Sequence, residues 1–138
     1  MNEVVYRLYF SDDENKYFVR IPSNLLKELI ISYKSNVIKL FCHMLYLLRD
    51  NTNDSYVSRF IPLSYLGTIL GCNDDTAGRH MKMLVKAGYI QVRKVWEYDT
   101  SSDKGNTVSR NYYSISPDII ERIMVLRNVK DTSNIEVV

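Results

Sequence analysis

Cysteine is scarce in this 138-residue chain, and no apolar run reaches membrane-spanning length. Two cysteines, Cys42 and Cys72, make no disulfide framework at this size and suit a reducing compartment, so both are expected to be buried thiols. A membrane span needs about 18 uncharged apolar residues in succession, and none occurs. The opening MNEVVYRLYF has an acid in third place and too short an apolar stretch for a signal peptide. A soluble, cytoplasmic protein with no membrane partner is therefore expected. Metal-ligand spacing is missing as well: His43, His80 and the two cysteines form neither CxxC nor HxxxH, and neighbours 42 and 43 diverge by about 100° around a helix. The chain also lacks a glycine-rich phosphate loop with lysine, HExxH and GxSxG. Neither a metal, a cofactor nor an enzymatic activity is expected.

Net charge is low too. At +2 it announces no polyanionic partner, because a global balance does not say where the charges lie. Over residues 76–96, however, five basic residues (Arg79, Lys82, Lys86, Arg93 and Lys94) meet no acid, which leaves the rest of the chain at −3. Hydrophobic residues make up 46%, enough to build one buried core, so a single domain over 1–130 is expected with 131–138 as a flexible tail. No internal repeat or low-complexity segment interrupts it.

EVVYRLYF and KYFVRIP alternate aromatic and β-branched residues around the polar SDDEN, the pattern of a β-hairpin or two short strands. Pro22, Ser23 and Asn24 break that pattern and offer a cap to a short helix in which Leu25, Leu29 and Ile30 share a face. Ser35 is expected to cap a second helix reaching about residue 50, apolar around most of its circumference and so buried on several sides. DNTNDSYVS reads as a loop, and RFIP as a short strand before a helix that begins near Leu63. LSYLGTILG and DDTAGRHMKMLVKAGYI then read as two helices about a tight turn. Gly71 ends the first at positive φ, Asn73 caps the second, and Asp74 and Asp75 complement its dipole. Ala77, Met81 and Leu84 form its inward stripe, whereas Asp75, Arg79, Lys82 and Lys86 form another that faces outward. YIQVRKVWEY and SRNYYSIS read as paired strands joined by the polar DTSSDKGNTV, and a last helix over 117–129 turns Ile119, Ile120, Ile123, Met124 and Leu126 inward.

This order of elements over 35–116 resembles the winged helix-turn-helix family, an α+β fold, here with an N-terminal β-hairpin or strand extension and a C-terminal helix. LGTILGCNDDTAGRHMKMLVKAGYI is similar to the helix-turn-helix core of MarR-type and GntR-type regulators and of plasmid and phage replication initiators. Leu66, Gly67, Leu70, Gly71, Cys72, Asn73, Leu84, Gly88 and Ile90 fill the pattern of that core. KYFVRIPSNLLKEL looks like the opening of small initiator-like proteins of the same kind.

The resemblance implies a helix-turn-helix over 63–87, a wing over 89–116, and double-stranded DNA as partner. Helix 74–87 would enter the major groove, about 12 Å wide. Gly67 would let the two helices cross closely. Arg79 is implied at a base edge or phosphate, and Lys82 and Lys86 at phosphates. Lys104 and Arg110 would act from the wing tip, with Arg93 and Lys94 on its strand. Ser64, Tyr65, Asn73, Thr76 and His80 complete the DNA-facing set. A homodimer is expected, because winged regulators commonly read two-fold half-sites and the apolar girth of helix 35–50 offers surface for pairing.

Transcriptional regulation is the expected role. A replication initiator or replisome-organising protein of a plasmid or phage is the alternative, and a winged domain that binds protein is a third, which Asp74 and Asp75 would suit. Both carboxylates would be repelled by phosphate, although either can accept from a cytosine amino group. Basic residues on a helix are otherwise ordinarily solvated, and the tyrosines and Trp96 are expected in the core and on the strand surface.

Overall fold

The computed structural model describes residues 3–10, 13–50, 55–98 and 106–125. They form an α+β fold of five helices and three small antiparallel sheets. Strands β1 (Glu3–Phe10) and β2 (Asp13–Pro22) pair from Glu3↔Pro22 to Phe10↔Asp13, as the alternation of both stretches predicts. Helix α1 (Ser23–Ser32) starts directly at the end of β2. It buries Leu25 and Leu29 but leaves Ile30 59% exposed, which corrects the shared face expected for all three. Ile30 lies about 100° around the helix from Leu29, too far to follow it into the core.

Helix α2 (Ser35–Leu47) is the centre of the molecule. Val37, Leu40, Phe41, Met44 and Leu45 are fully buried along it, together with Cys42 and His43. That girth is met by α1, β1, β2 and the two helices that follow, with Ile38, Tyr46 and Leu47 only partly buried against the core. Its cap position falls on Lys34 rather than Ser35, which is instead the first helical residue. The helix also stops short of residue 50. Arg49–Asp50 (β3) pairs with Ser55–Tyr56 (β4) in a stretch expected to be loop, and the Val57 amide donates to the Leu48 carbonyl at 2.7 Å. Tyr56 packs against the core, which draws this segment back onto the end of α2.

Strand β5 (Arg59–Phe60) leads into α3 (Leu63–Leu70) and α4 (Asp74–Lys86), then β6 (Ile90–Tyr98) and β7 (Thr107–Ile115). The third sheet has the order β5-β7-β6. A final helix, α5, covers residues 117–125, with Ile119 and Ile123 buried and Ile120 packed against the core. Leu126 and the expected tail lie outside the described residues. Cys42 is buried, its thiol pushed up to about 12 by loss of water, but Cys72 is only half-buried, against the expectation for it. Among the described residues no helix is long and apolar enough to cross a membrane.

Candidate nucleic-acid interface

Backbone chemistry at the turn between α3 and α4 sets the angle at which α4 leaves the core. Gly71 takes φ 70°, ψ 34°, a left-handed conformation that costs glycine little. The Cys72 amide then donates to Gly67 O at 2.9 Å, satisfying a carbonyl that the end of the helix leaves open. Gly67 is needed for a different reason from the one expected. A Cβ there would lie 2.7 Å from the Cys72 carbonyl oxygen, so the close approach is to the turn backbone and not to a crossing helix. Asn73 caps α4 as its sequence position predicts, accepting from the Thr76 amide at 2.8 Å.

The far end of α4 repeats the device: Gly88 has φ 86°, and the Tyr89 amide donates to Leu84 O at 3.0 Å. Tyr89 then anchors the exit. Its ring meets Phe41 and Tyr33 edge-on at 5.6 and 6.2 Å, and its hydroxyl donates to Glu28 at 3.3 Å. Glu28 also accepts from Arg122 of α5 at 2.7 Å, and this bond is the main reason its carboxyl titrates below the usual range. One carboxylate thus ties α1, the exit of α4 and α5 together.

Between these ends α4 divides as its spacing predicts. Ala77, Met81 and Leu84 are buried, and Asp75, Arg79, Lys82 and Lys86 are exposed. Arg79 bends back along the helix and donates to the Thr76 hydroxyl at 3.0 Å. His80 lies on a flank, where burial and then the charges of Arg79 and Lys34 lower its pKa and favour the neutral ring. Ser64 and Tyr65 are exposed on α3, and the Ser64 carbonyl accepts from Thr68.

Strand register sorts the hairpin's side chains into two faces, because directly paired residues point the same way. Ile90, Val92, Lys94, Trp96 and Tyr98 share one face with Tyr113 and Ile115. Its inner end is buried in the core and its middle looks across at α4. The two elements enclose a cleft of about 460 Å³ with Met81, Val85 and Tyr113 among its apolar walls and Lys82, Lys86 and Lys94 at its edges. Among the described residues no carboxylate lines it.

Arg93 and Arg110 occupy the opposite face. Arg110 is held there by Glu97 at 2.9 Å and lies 5.1 Å from the centre of the Phe60 ring. Glu97 also accepts from the Tyr112 hydroxyl, which raises the pKa of that phenol. The fold therefore gathers Lys82, Lys86 and Lys94 around one cleft with Arg79 further around α4, and it sets Arg93 and Arg110 apart. Lys104 lies outside the described residues.

Sequence reasoning expected Trp96 and the tyrosines in the core and on the strand surface, and gave neither Trp96 nor Tyr98 a place in the site. They are 68% and 65% exposed, on the strand positions next outward from Lys94 on the cleft face. The two-residue alternation of IQVRKVWEY carried that signal, but an aromatic on a strand reads by default as core or ordinary strand surface. No protein-family model, curated protein or solved structure matches the chain.

Proposed function

We propose that the protein is a winged-helix protein that binds double-stranded DNA in a sequence-specific manner and regulates transcription. Helix α4 would lie in the major groove and the β6–β7 hairpin would act as the wing. The observation that carries this reading is the joint presentation of Arg79, Lys82 and Lys86 on the exposed side of α4 with Lys94 across the cleft. A cluster of cations on one convex element, beside a cleft lined by no acid among the described residues, matches the charge of a phosphate backbone. The rigid termini of α4 suit the role, since base readout needs a helix held at a fixed angle.

Arg79 is assigned to a base edge, because its planar fork can make two parallel bonds to guanine, and the lysines to phosphates. Arg110, already committed to Glu97, is assigned a lesser part. Asp75 on the same stripe is repelled by phosphate, and its part in the reading is to accept from a cytosine amino group. A homodimer would present two copies of α4 to half-sites about 34–36 Å apart. The apolar surface for it is at Ile30 and Ile31 of α1, 59% and 85% exposed.

Selection of bound fragments from a random duplex pool tests the whole reading. Recovery of a two-fold symmetric sequence is the expected result. Failure to retain any duplex at low salt would overturn it.

A further inference from the structure

Cations on the cleft face of the hairpin account for its inner half, but not for its outer half. There Trp96 and Tyr98 stand 68% and 65% exposed beside each other on one side of β6. Two large aromatic rings in water are costly, each leaving apolar area that burial would stabilise. Neither ring packs into the chain's own core, whereas Ile90, Tyr113 and Ile115 on the same face do.

Spacing and charge say what fits them. Same-face neighbours on an antiparallel strand stand about 6.8 Å apart, two steps of about 3.4 Å. Nucleic-acid bases stack at about 3.4 Å, so the gap between the two side chains has room for one planar base with a ring on either side. Lys94 is the next same-face residue inward, at the edge of the lysine-rimmed cleft, where the phosphates of the same strand would run. None of the described hairpin residues on this face is acidic. Glu97, the acid of these two strands, points to the opposite side and is engaged by Arg110 and Tyr112. Aromatic rings alternating with cations on an acid-free strip are the arrangement that holds unpaired bases, the rings taking the base faces and the lysines the backbone.

We infer that Trp96 and Tyr98 form a stacking site for an unpaired base of DNA, placed where the strand leaves the duplex held by α4. The inference rests on the DNA-binding reading above and extends it from duplex to the junction between duplex and single strand. It gives the protein a preference for DNA that is open or readily opened next to its site.

Trp96 is the chain's one tryptophan, so its emission reports this site directly. The protein is titrated with an oligothymidine strand, a blunt duplex, and the same duplex with an oligothymidine overhang, while anisotropy of labelled DNA reports binding independently. The expected result is strong quenching with the overhang duplex and tighter binding of it than of the blunt duplex. Trp96→Ala should remove that preference, weakening the overhang complex roughly tenfold with little effect on the blunt one. Trp96→Phe, which keeps a ring, should restore part of it. Binding of both duplexes with unchanged emission would overturn the inference and leave the duplex reading standing. Emission that shifts with protein concentration and not with DNA would overturn it in favour of a contact between copies. Absence of binding to every probe would overturn both. Circular dichroism checks that the exposed substitutions leave the fold intact.

Discussion

Thr76 and Arg79 are joined by a 3.0 Å hydrogen bond, and the same Thr76 donates its amide to the Asn73 cap. The guanidinium of Arg79 is thereby steadied against the first turn of α4, with its other donors free to face outward. Preorganisation of this kind lowers the ordering cost of a base contact. Arg79→Ala should cost about 1–3 kcal/mol on the selected site and much less on random duplex. Equal losses on specific and scrambled duplexes would make Arg79 a phosphate contact. Thr76→Val, which removes the acceptor, should weaken specific binding in the same direction by a smaller factor.

Lys86 offers a point charge at the cleft edge and no forked geometry. Lys86→Ala should weaken specific and non-specific binding alike and lower the slope of log affinity against log salt by about one unit. Mobility shifts across a salt series measure it. An unchanged slope would remove Lys86 from the interface.

Two glycines on neighbouring helices should respond in opposite ways to the same methyl group. At Gly67 the added carbon meets the Cys72 carbonyl at 2.7 Å, backbone that cannot move without opening the turn. Gly67→Ala should destabilise by about 1–3 kcal/mol despite the better helix propensity of alanine. At Gly78 the nearest atom is Leu63 Cδ1 at 3.4 Å, the end of a flexible side chain. Gly78→Ala should be neutral or stabilise by up to about 1 kcal/mol. Urea unfolding of the two variants decides it.

Burial of His43 in α2 holds its pKa at about 4, with Lys39 adding to the effect. The unfolded chain regains the ordinary value near 6.5, so between these two pH values it takes up a proton that the folded chain refuses. Stability is complete above about pH 6.5 and falls as the pH drops toward 4. From pH 7.5 to 5 the loss from this residue should be about 2 kcal/mol. His43→Gln should flatten that part of the profile, and a parallel fall in both proteins would place the sensitivity elsewhere.

Ile31 is 85% exposed at the end of α1, and Ile30 beside it is 59% exposed. Light scattering at micromolar concentration should report a dimer, and Ile31→Glu should make it monomeric with an unaltered circular dichroism spectrum. A wild-type monomer that stays monomeric on DNA would remove self-association from the reading.

What the sequence made legible was the part governed by local rules. The Asn73 cap, the positive φ at Gly71 and the inward stripe Ala77, Met81, Leu84 each follow from a few neighbouring residues, and the structure has all three. Where the outcome depended on partners far along the chain, local pattern ran out. Nothing near Ile30 says which side of α1 the core will occupy. The return of Tyr56 and Val57 onto the end of α2 is likewise decided by packing, not by the polar residues before them. The two faces of β6 could be written down from alternation alone, but only the pairing with β7 and the cleft against α4 show which one meets the lysines.

The Asn73 cap opens α4 and left-handed Gly88 follows its end, and its core contacts run through Ala77, Met81 and Leu84. Asp75, Arg79, Lys82 and Lys86 are exposed side chains outside that core, and changes at such positions usually alter stability by no more than about 0.5 kcal/mol. The frame and the outward lettering are therefore separable. A different set of side chains at these four positions would fold onto the same scaffold at little cost, so whatever this face of α4 is proposed to read could be exchanged, by evolution or by hand, without rebuilding the molecule that displays it.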